Sequence, residues 1–361
     1  MKQPVYFIHP CRLARKNSTI SIEWKWDTDK PFISPASVIG EEIRNEFPFS
    51  EEAAWWLRVP TVLPIERMDS LHLLAPVDMN TDLLELLYKK EISVHQYNWA
   101  GEYIGSFNGN YATQNGKLLI EQVKLQQSIK KRTSLSKIVL RAAFKNMIRL
   151  ISYHNRRTSS IPFQTEFIND ALTSIKKATT VDELMGIEGS LRKVYYEWLD
   201  TLLPESFQLK GRSYRPALNA GNAMVSFINA LLYGLIEAEI NYTQLSPQIG
   251  FLHQPGRDKN PLVYDLSEIF KPVLVDPLLL MLTRKNMISP DDFFETEKGI
   301  FIKKEAKLKI VRAFSGKVHT TIYDDQLKRN VSYRSLVRME AYKLIHLLLD
   351  KVAYKPFIQK W

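Results

Sequence analysis

One cysteine, Cys11, stands among 361 residues, so the chain forms no internal disulfide and carries none of the zinc motifs built on paired cysteines. Any metal it holds sits on oxygen and nitrogen donors, which favours magnesium or manganese over zinc or iron. Uninterrupted apolar runs are also missing. The most apolar stretch, "AMVSFINALLYGLIEAEI" from Ala223, is broken by Ser226, Asn229 and Glu237 and reads as a helix inside a large core, not a membrane span. No basic stretch followed by an apolar run and a small-residue cleavage site opens the sequence, so a cytoplasmic protein without a secretory signal is expected.

Acid is scarce, and unevenly so. The formal net charge is +10. Residues 1–116 carry 11 Lys or Arg against 15 Asp or Glu, whereas residues 117–361 carry 38 against 24. The basic surplus therefore lies wholly in the second part. Such an asymmetry suggests a polyanionic partner there, most often nucleic acid, although a solvated positive surface gives the same count.

Hydrophobic residues make up 45% of the chain, and its length suggests two domains. "TISIEWKW" alternates strictly, with Ile20, Ile22, Trp24 and Trp26 on one face, which is the period of a half-buried strand. "VYFIHP", "CRLARK", "SLHLLAPV", "ISVHQY" and "EYIGSFNG" are short and bounded by turn formers, and "NWAG" reads as a hairpin turn between the last two. Between residues 27 and 60 the strand signal lapses into two short helical patterns carrying Trp55, Trp56 and Leu57. From about Lys117 the period becomes 3.6, over 117–157, 165–178, 180–203, 219–246, 261–287 and 331–353, with one extended passage in "TEKGIFIKKEAKLKIVRAF". The expected architecture is α+β and multidomain: an antiparallel β-domain over 1–116 with a helical insertion near 27–60, then a larger all-α domain over 117–361.

The stretch "IGFLHQPGRDKNPLVYDLSEIFKPVLVD" concentrates the candidate chemistry. Asn260 and Pro261 form a helix start, and Pro272 ends or kinks the helix. Leu262, Leu266, Ile269, Phe270 and Val273 make its buried stripe, with Asp265 and Glu268 along one edge. Acids three residues apart repel unless a proton, a basic side chain or a metal ion offsets them; two surface acids near Lys271 and Arg257 are the plainer reading. His253 ends an apolar segment upstream, as structural histidines also do. Glu188 lies beside Gly189 on a predicted helix, where a glycine costs about 1 kcal/mol against alanine. A backbone approached closely from outside accounts for that cost; a plain ion pair with Arg192 at i+4 accounts for the acid.

At these residues the chain becomes recognisable. "GIEGSLRKVYYEWL", "RPALNAGNAMVSFINALLYG", the stretch above, and "VSYRSLVRMEAYKLIHLLL" with "YKPF" resemble, in order, the blocks of the CRISPR adaptation integrases, the Cas one family, in its type I form. "IERMDSLHLL" and "ISVHQYNWAGEYIGSFNG" resemble that family's amino-terminal sheet domain.

The resemblance implies a metal-dependent DNA endonuclease and integrase that joins foreign DNA 3′-hydroxyl ends to phosphodiesters of a CRISPR repeat. It implies Mg2+ or Mn2+ held by Glu188, His253 and Glu268, with Asp265 a further acid beside them. Double-stranded DNA, a second copy of the chain and a small second adaptation protein are the implied partners. One departure stands out: in "RPALNAGNA", Arg215, Pro216 and Asn222 match while Asn219 replaces a common acid.

Candidate phosphate contacts are the stripe Lys137, Arg141, Lys145 and Arg149, together with Arg215, Asn222, Lys271, Arg334 and Arg338. A catalytically silent DNA-binding scaffold of the same fold is the alternative. A glycosidase reading of Asp265 and Glu268 fails, because acids one helical turn apart do not flank a sugar bond from two sides.

Overall fold

A computed structural model describes residues 3–24, 62–107, 115–156, 166–213, 216–256, 260–325 and 327–360. The 27–60 insertion, Trp26, Arg215 and Arg257 lie outside the described residues. The chain divides into two compact units, Met1–Thr113 with Ile302–Thr320, and Gln114–Phe301 with Thr321–Trp361.

In the first unit, β1 (Gln3–Phe7), β5 (Met68–Leu73), β7 (Ser93–Tyr97) and β8 (Tyr103–Phe107) form one sheet, in that order. A second sheet runs β4 (Val62–Pro64), β3 (Thr19–Trp24), β2 (Cys11–Lys16) and β6 (Val77–Met79). The hairpin turn between the last two predicted strands is present, since β7 and β8 pair antiparallel. The sheets as a whole are mixed, however: β1–β5, β5–β7 and β2–β6 are parallel. Parallel neighbours need crossover connections, and helix α1 (Thr81–Lys89), unmarked in the sequence reading, lies in the crossover from β5 to β7. Residue alternation fixes which face a strand buries but not its direction. Val5, Phe7, Leu13, Ile20, Leu71, Leu73, Leu83, Leu87 and Val94 join in one core cluster.

The residues alternating with that cluster are polar, and on β5 and β7 they are also buried. Tyr6, His72 and His95 stand in register on β1, β5 and β7, with rings stacked 4.6 and 4.7 Å apart. Each histidine spends both ring nitrogens on hydroxyls: His72 on Ser70 (3.2 Å) and Tyr97 (3.1 Å), His95 on Ser93 (2.9 Å) and Tyr103 (3.1 Å).

The second unit holds α2 (Gly116–Gln127), α3 (Ile129–Asn155), α4 (Glu166–Lys177), α5 (Val181–Leu202), α6 (Ala220–Asn241), α7 (Pro261–Phe270) and α8 (Asp276–Arg284). The predicted 117–157 helix is two, parted at Ser128, whose hydroxyl caps the second. α6, the one helix among the described residues apolar and long enough to cross a membrane, has 89% of its apolar window buried inside the protein. Two hairpins, β9 (Phe293–Thr296) with β10 (Gly299–Ile302) and β11 (Thr321–Asp324) with β12 (Arg329–Ser332), correct the all-α expectation. Between them α9 (Lys304–His319) belongs to the first unit, although its position in the chain placed it within the expected 117–361 domain. α10 (Tyr333–Leu349) follows β12.

Pro272 kinks its helix without ending it. Lacking an N–H, it cannot bond the carbonyl of Glu268, and residues Lys271–Val275 widen into a π turn in which Asp276 donates to the Lys271 carbonyl.

Burial drives the pKa of His95 down to about 3, against 6.5 in an unfolded chain. Below about pH 6.5 the unfolded chain therefore binds a proton that the folded one refuses, and stability falls as pH drops toward about 3. Equilibrium denaturation between pH 7 and 4 is expected to show this loss, with His95 contributing up to about 1.4 kcal/mol per pH unit. His95→Gln should flatten the slope by that amount.

Candidate active site

α7 packs against α3 and α6 and carries the predicted stripe: Leu262, Leu266, Ile269, Phe270 and Val273 are all buried. The helix starts at Pro261 as expected, but Asn260 turns its side-chain amide to Glu237 (2.8 Å) and does not cap. Asp265 and Glu268, on the edge of the stripe, are buried as well. Neither is a surface acid.

Asp265 organises the loop before it. One carboxylate oxygen accepts the backbone N–H groups of Phe251 (2.6 Å) and Leu252 (3.1 Å); the other accepts the backbone N–H (2.8 Å) and ring Nδ1–H (2.8 Å) of His253. The opposite side of the loop is held from α3, where Arg132 and Ser136 donate to the Phe251 carbonyl (2.5 and 3.3 Å). Gly250 is required here, since a Cβ would lie 2.8 Å from an Asp265 oxygen. Burial pulls the His253 pKa down, but the Asp265 hydrogen bond and the negative charges of Asp265 and Glu268 together outweigh it, and the ring ends above its ordinary value. With Nδ1 committed to Asp265, Nε2 is the ring's remaining ligating atom.

Glu268 accepts from Lys271 Nζ (2.5 Å) on one oxygen and from an Arg192 terminal nitrogen on the other. Burial would raise its pKa; Lys271 and Arg192 overcome that and hold the carboxyl at about 2. Arg192 Nε also donates to Glu188 (2.9 Å) one turn earlier on α5. The i,i+4 pair seen in the sequence is thus real, and a single guanidinium links it to α7. Among the described residues, nothing outside Gly189's own helical turn lies within 4 Å of where a Cβ would be, so none of them requires glycine there. Beside this cluster Tyr195 donates to Asp276 (2.7 Å), a carboxyl that burial pushes up to about 6.

α7 is also braced from behind. Asn146 on α3, fully buried, donates to the Ile269 carbonyl (2.9 Å) and accepts from Gln359 N–H (2.8 Å), while Phe357 stacks on Phe270. The sequence reading missed Asn146; its signal is an asparagine on an otherwise apolar helix stripe, beside Ala143, Met147 and Leu150.

The candidate phosphate contacts divide. Arg141, Lys145 and Arg149 are exposed along α3, as expected of the stripe, while Lys137 is tied to the Lys176 carbonyl (3.0 Å). Arg334 and Arg338 instead converge on buried Glu239 (2.6 and 2.5 Å), and Arg334 is itself buried. Asn222 is buried, accepting from Arg212 and donating to the carbonyls of Leu209 and Gly211 as a clamp on that loop. Lys271 faces Glu268. Arg334 and Arg338 looked surface-exposed in sequence because the acid they share lies 95 and 99 positions away along the chain. Asn219 caps α6 through its side chain (2.8 Å to Asn222 N–H), a task that an acid performs equally.

Among the described residues, no three His, Cys, Asp or Glu groups stand in a ready coordinating cluster. Arg192 and Lys271 lie among them, each bonded to Glu268. The donor set itself suits a hard divalent ion: two carboxylates, each with lone pairs left, and an imidazole oriented by a carboxylate behind it.

Replacing Asp265 by Ala removes the acceptor of three buried amides and an imidazole, and a loss of about 3 kcal/mol or more in unfolding free energy is expected by chemical denaturation. Asp265→Asn, which keeps one carbonyl oxygen, should lose less.

The family model described as "CRISPR associated protein Cas1" matches residues 50–316. The "CRISPR-associated endonuclease Cas1 3" of Thermodesulfovibrio yellowstonii is 37% identical over 300 residues, 83% of this chain and 91% of that protein. A second such endonuclease of that organism is 33% identical over 362 residues, covering 100% of both. Among solved structures, the CAS1 protein of Thermotoga maritima superposes with a TM-score of 0.79 at 27% identity, over 99% of this chain and 100% of that one. With a family model matched over most of its length and relatives this similar along it, the chain belongs to the CRISPR-associated Cas1 family.

Proposed function

We propose that this chain is a divalent-metal-dependent DNA endonuclease and integrase that joins foreign DNA ends to a CRISPR repeat in the cytoplasm. The observation that carries the reading is the convergence of Glu188 and Glu268, from two helices, on one guanidinium, beside a histidine oriented by Asp265. The naming of the relatives as CRISPR-associated endonucleases supports it.

Glu188, His253 through Nε2, and Glu268 would hold the ion, Mg2+ or Mn2+, whose chemistry is Lewis-acid neutralisation of charge on the reacting phosphate. The chain's own residues do the rest. Asp265 fixes the imidazole; Lys271 and Arg192 add positive charge next to the carboxylates; Arg141, Lys145 and Arg149 offer non-specific phosphate contacts. In the joining step a 3′-hydroxyl loses its proton as its oxygen forms a bond to phosphorus, the repeat's own P–O3′ bond breaks, and the departing 3′-oxygen takes up a proton in exchange, so that no net proton is gained or lost. A second copy of the chain and a small second adaptation protein complete the assembly.

The ion pairs on Glu268 also suit a second reading, a catalytically silent DNA-binding scaffold. Strand transfer of a short duplex into a repeat-bearing plasmid separates the two. Product should appear only with divalent metal and fall by at least about 100-fold in Glu188→Ala, as when several kcal/mol of transition-state stabilisation are removed. Product formed in EDTA and by the variant alike would leave only the scaffold.

Changing Arg141, Lys145 and Arg149 together to Ala should lower the slope of log affinity against log salt by about 0.9 for each phosphate that is no longer neutralised. A slope equal to wild type removes the stripe from the DNA footprint.

A further inference from the structure

Arg192 is the least ordinary member of the cluster. Its side chain is only 11% exposed, and it bonds two carboxylates from two helices. One terminal nitrogen, Nη1, is buried with no hydrogen-bond partner among the described residues. Glu268 is bonded on both oxygens, by Arg192 and by Lys271. Two carboxylates are thus balanced by two fixed cations. A dication brought to the same oxygens meets like charge at close range, in surroundings that screen it poorly. Lys271 reaches one carboxylate; Arg192 reaches both, so its departure frees the most negative charge. The guanidinium also has a spare donor, and guanidinium groups match phosphate oxygens in a fixed fork.

Resting on the metal reading above, we propose that Arg192 is a positioning residue that competes with the divalent ion for Glu188 and Glu268 and exchanges them for a DNA phosphate. Ion binding and phosphate binding are thereby coupled. Each ligand removes Arg192 from the place the other needs it to leave, so each tightens the other by the same factor. A protein built this way holds its ion weakly without DNA and strongly with it.

The test is Mn2+ titration by calorimetry, with and without a short DNA duplex, counting only the binding abolished by Glu188→Ala. Wild type is expected to bind Mn2+ about tenfold more tightly with DNA, the middle of the usual range of coupling. Arg192→Leu should bind Mn2+ about tenfold more tightly than wild type in the absence of DNA and show less than about a twofold effect of adding it. Arg192→Lys, whose single ammonium reaches one carboxylate at a time, should fall between and carries the same test if the leucine variant does not fold. Equal Mn2+ affinity in wild type and variants, or undiminished coupling in them, overturns the role of Arg192 and leaves the metal reading standing. No Glu188-dependent Mn2+ binding in any of the proteins overturns both.

Discussion

A carboxylate removed from water has to be satisfied on every side, and Asp265 meets that demand with four hydrogen bonds drawn from three consecutive residues, 251 to 253. The requirement fixes the loop, because those amides are gathered on one carboxylate, and Gly250 must be bare for the loop to come so near. It fixes the imidazole, whose Nδ1 joins the same carboxylate. It also sets the pose of Glu268, one turn along the same helix, toward α5. The remaining contacts of the site, Arg192 to Glu188 and Lys271 to Glu268, follow from that pose.

Much of this was legible in the sequence, for a physical reason. The stripe of α7 is written in its periodicity, with two acids at its edge, but periodicity left open whether those acids face water, and the structure buries both. The strands and the β7–β8 hairpin were legible in the same way, from alternation and turn residues. Strand direction was not, since a parallel and an antiparallel strand bury the same alternate residues; nor was the membership of α9, because amphipathicity does not name the core it faces. The partners of Asp265 were out of reach for a different cause. Backbone amides carry no sequence signature, so a carboxylate satisfied by them looks identical to one waiting for a cation.

Several of the basic residues counted in the second part are internal and paired with acids. Arg334 and Arg338 balance Glu239, and Arg192 and Lys271 balance Glu188 and Glu268, all within the second unit. A sequence count assigns such residues to the surface because it cannot pair charges separated by 76 or 99 positions. Among the described candidate groups, the exposed row Arg141, Lys145 and Arg149 on α3 keeps the character that the count suggested.

The brace behind α7 has a consequence for how the molecule comes into being. Asn146 joins the carbonyl of Ile269 to the amide of Gln359, and Phe357 covers Phe270. A nascent polypeptide that has emerged from the ribosome as far as Glu268 possesses both acids and the histidine, yet Gln359 lies 91 residues further on and must be synthesised before the helix bearing Asp265 and Glu268 is secured. Translation therefore imposes a delay on the completion of this cluster. Prematurely terminated chains, which a cell inevitably makes, are left with the acids but without the support that aligns them.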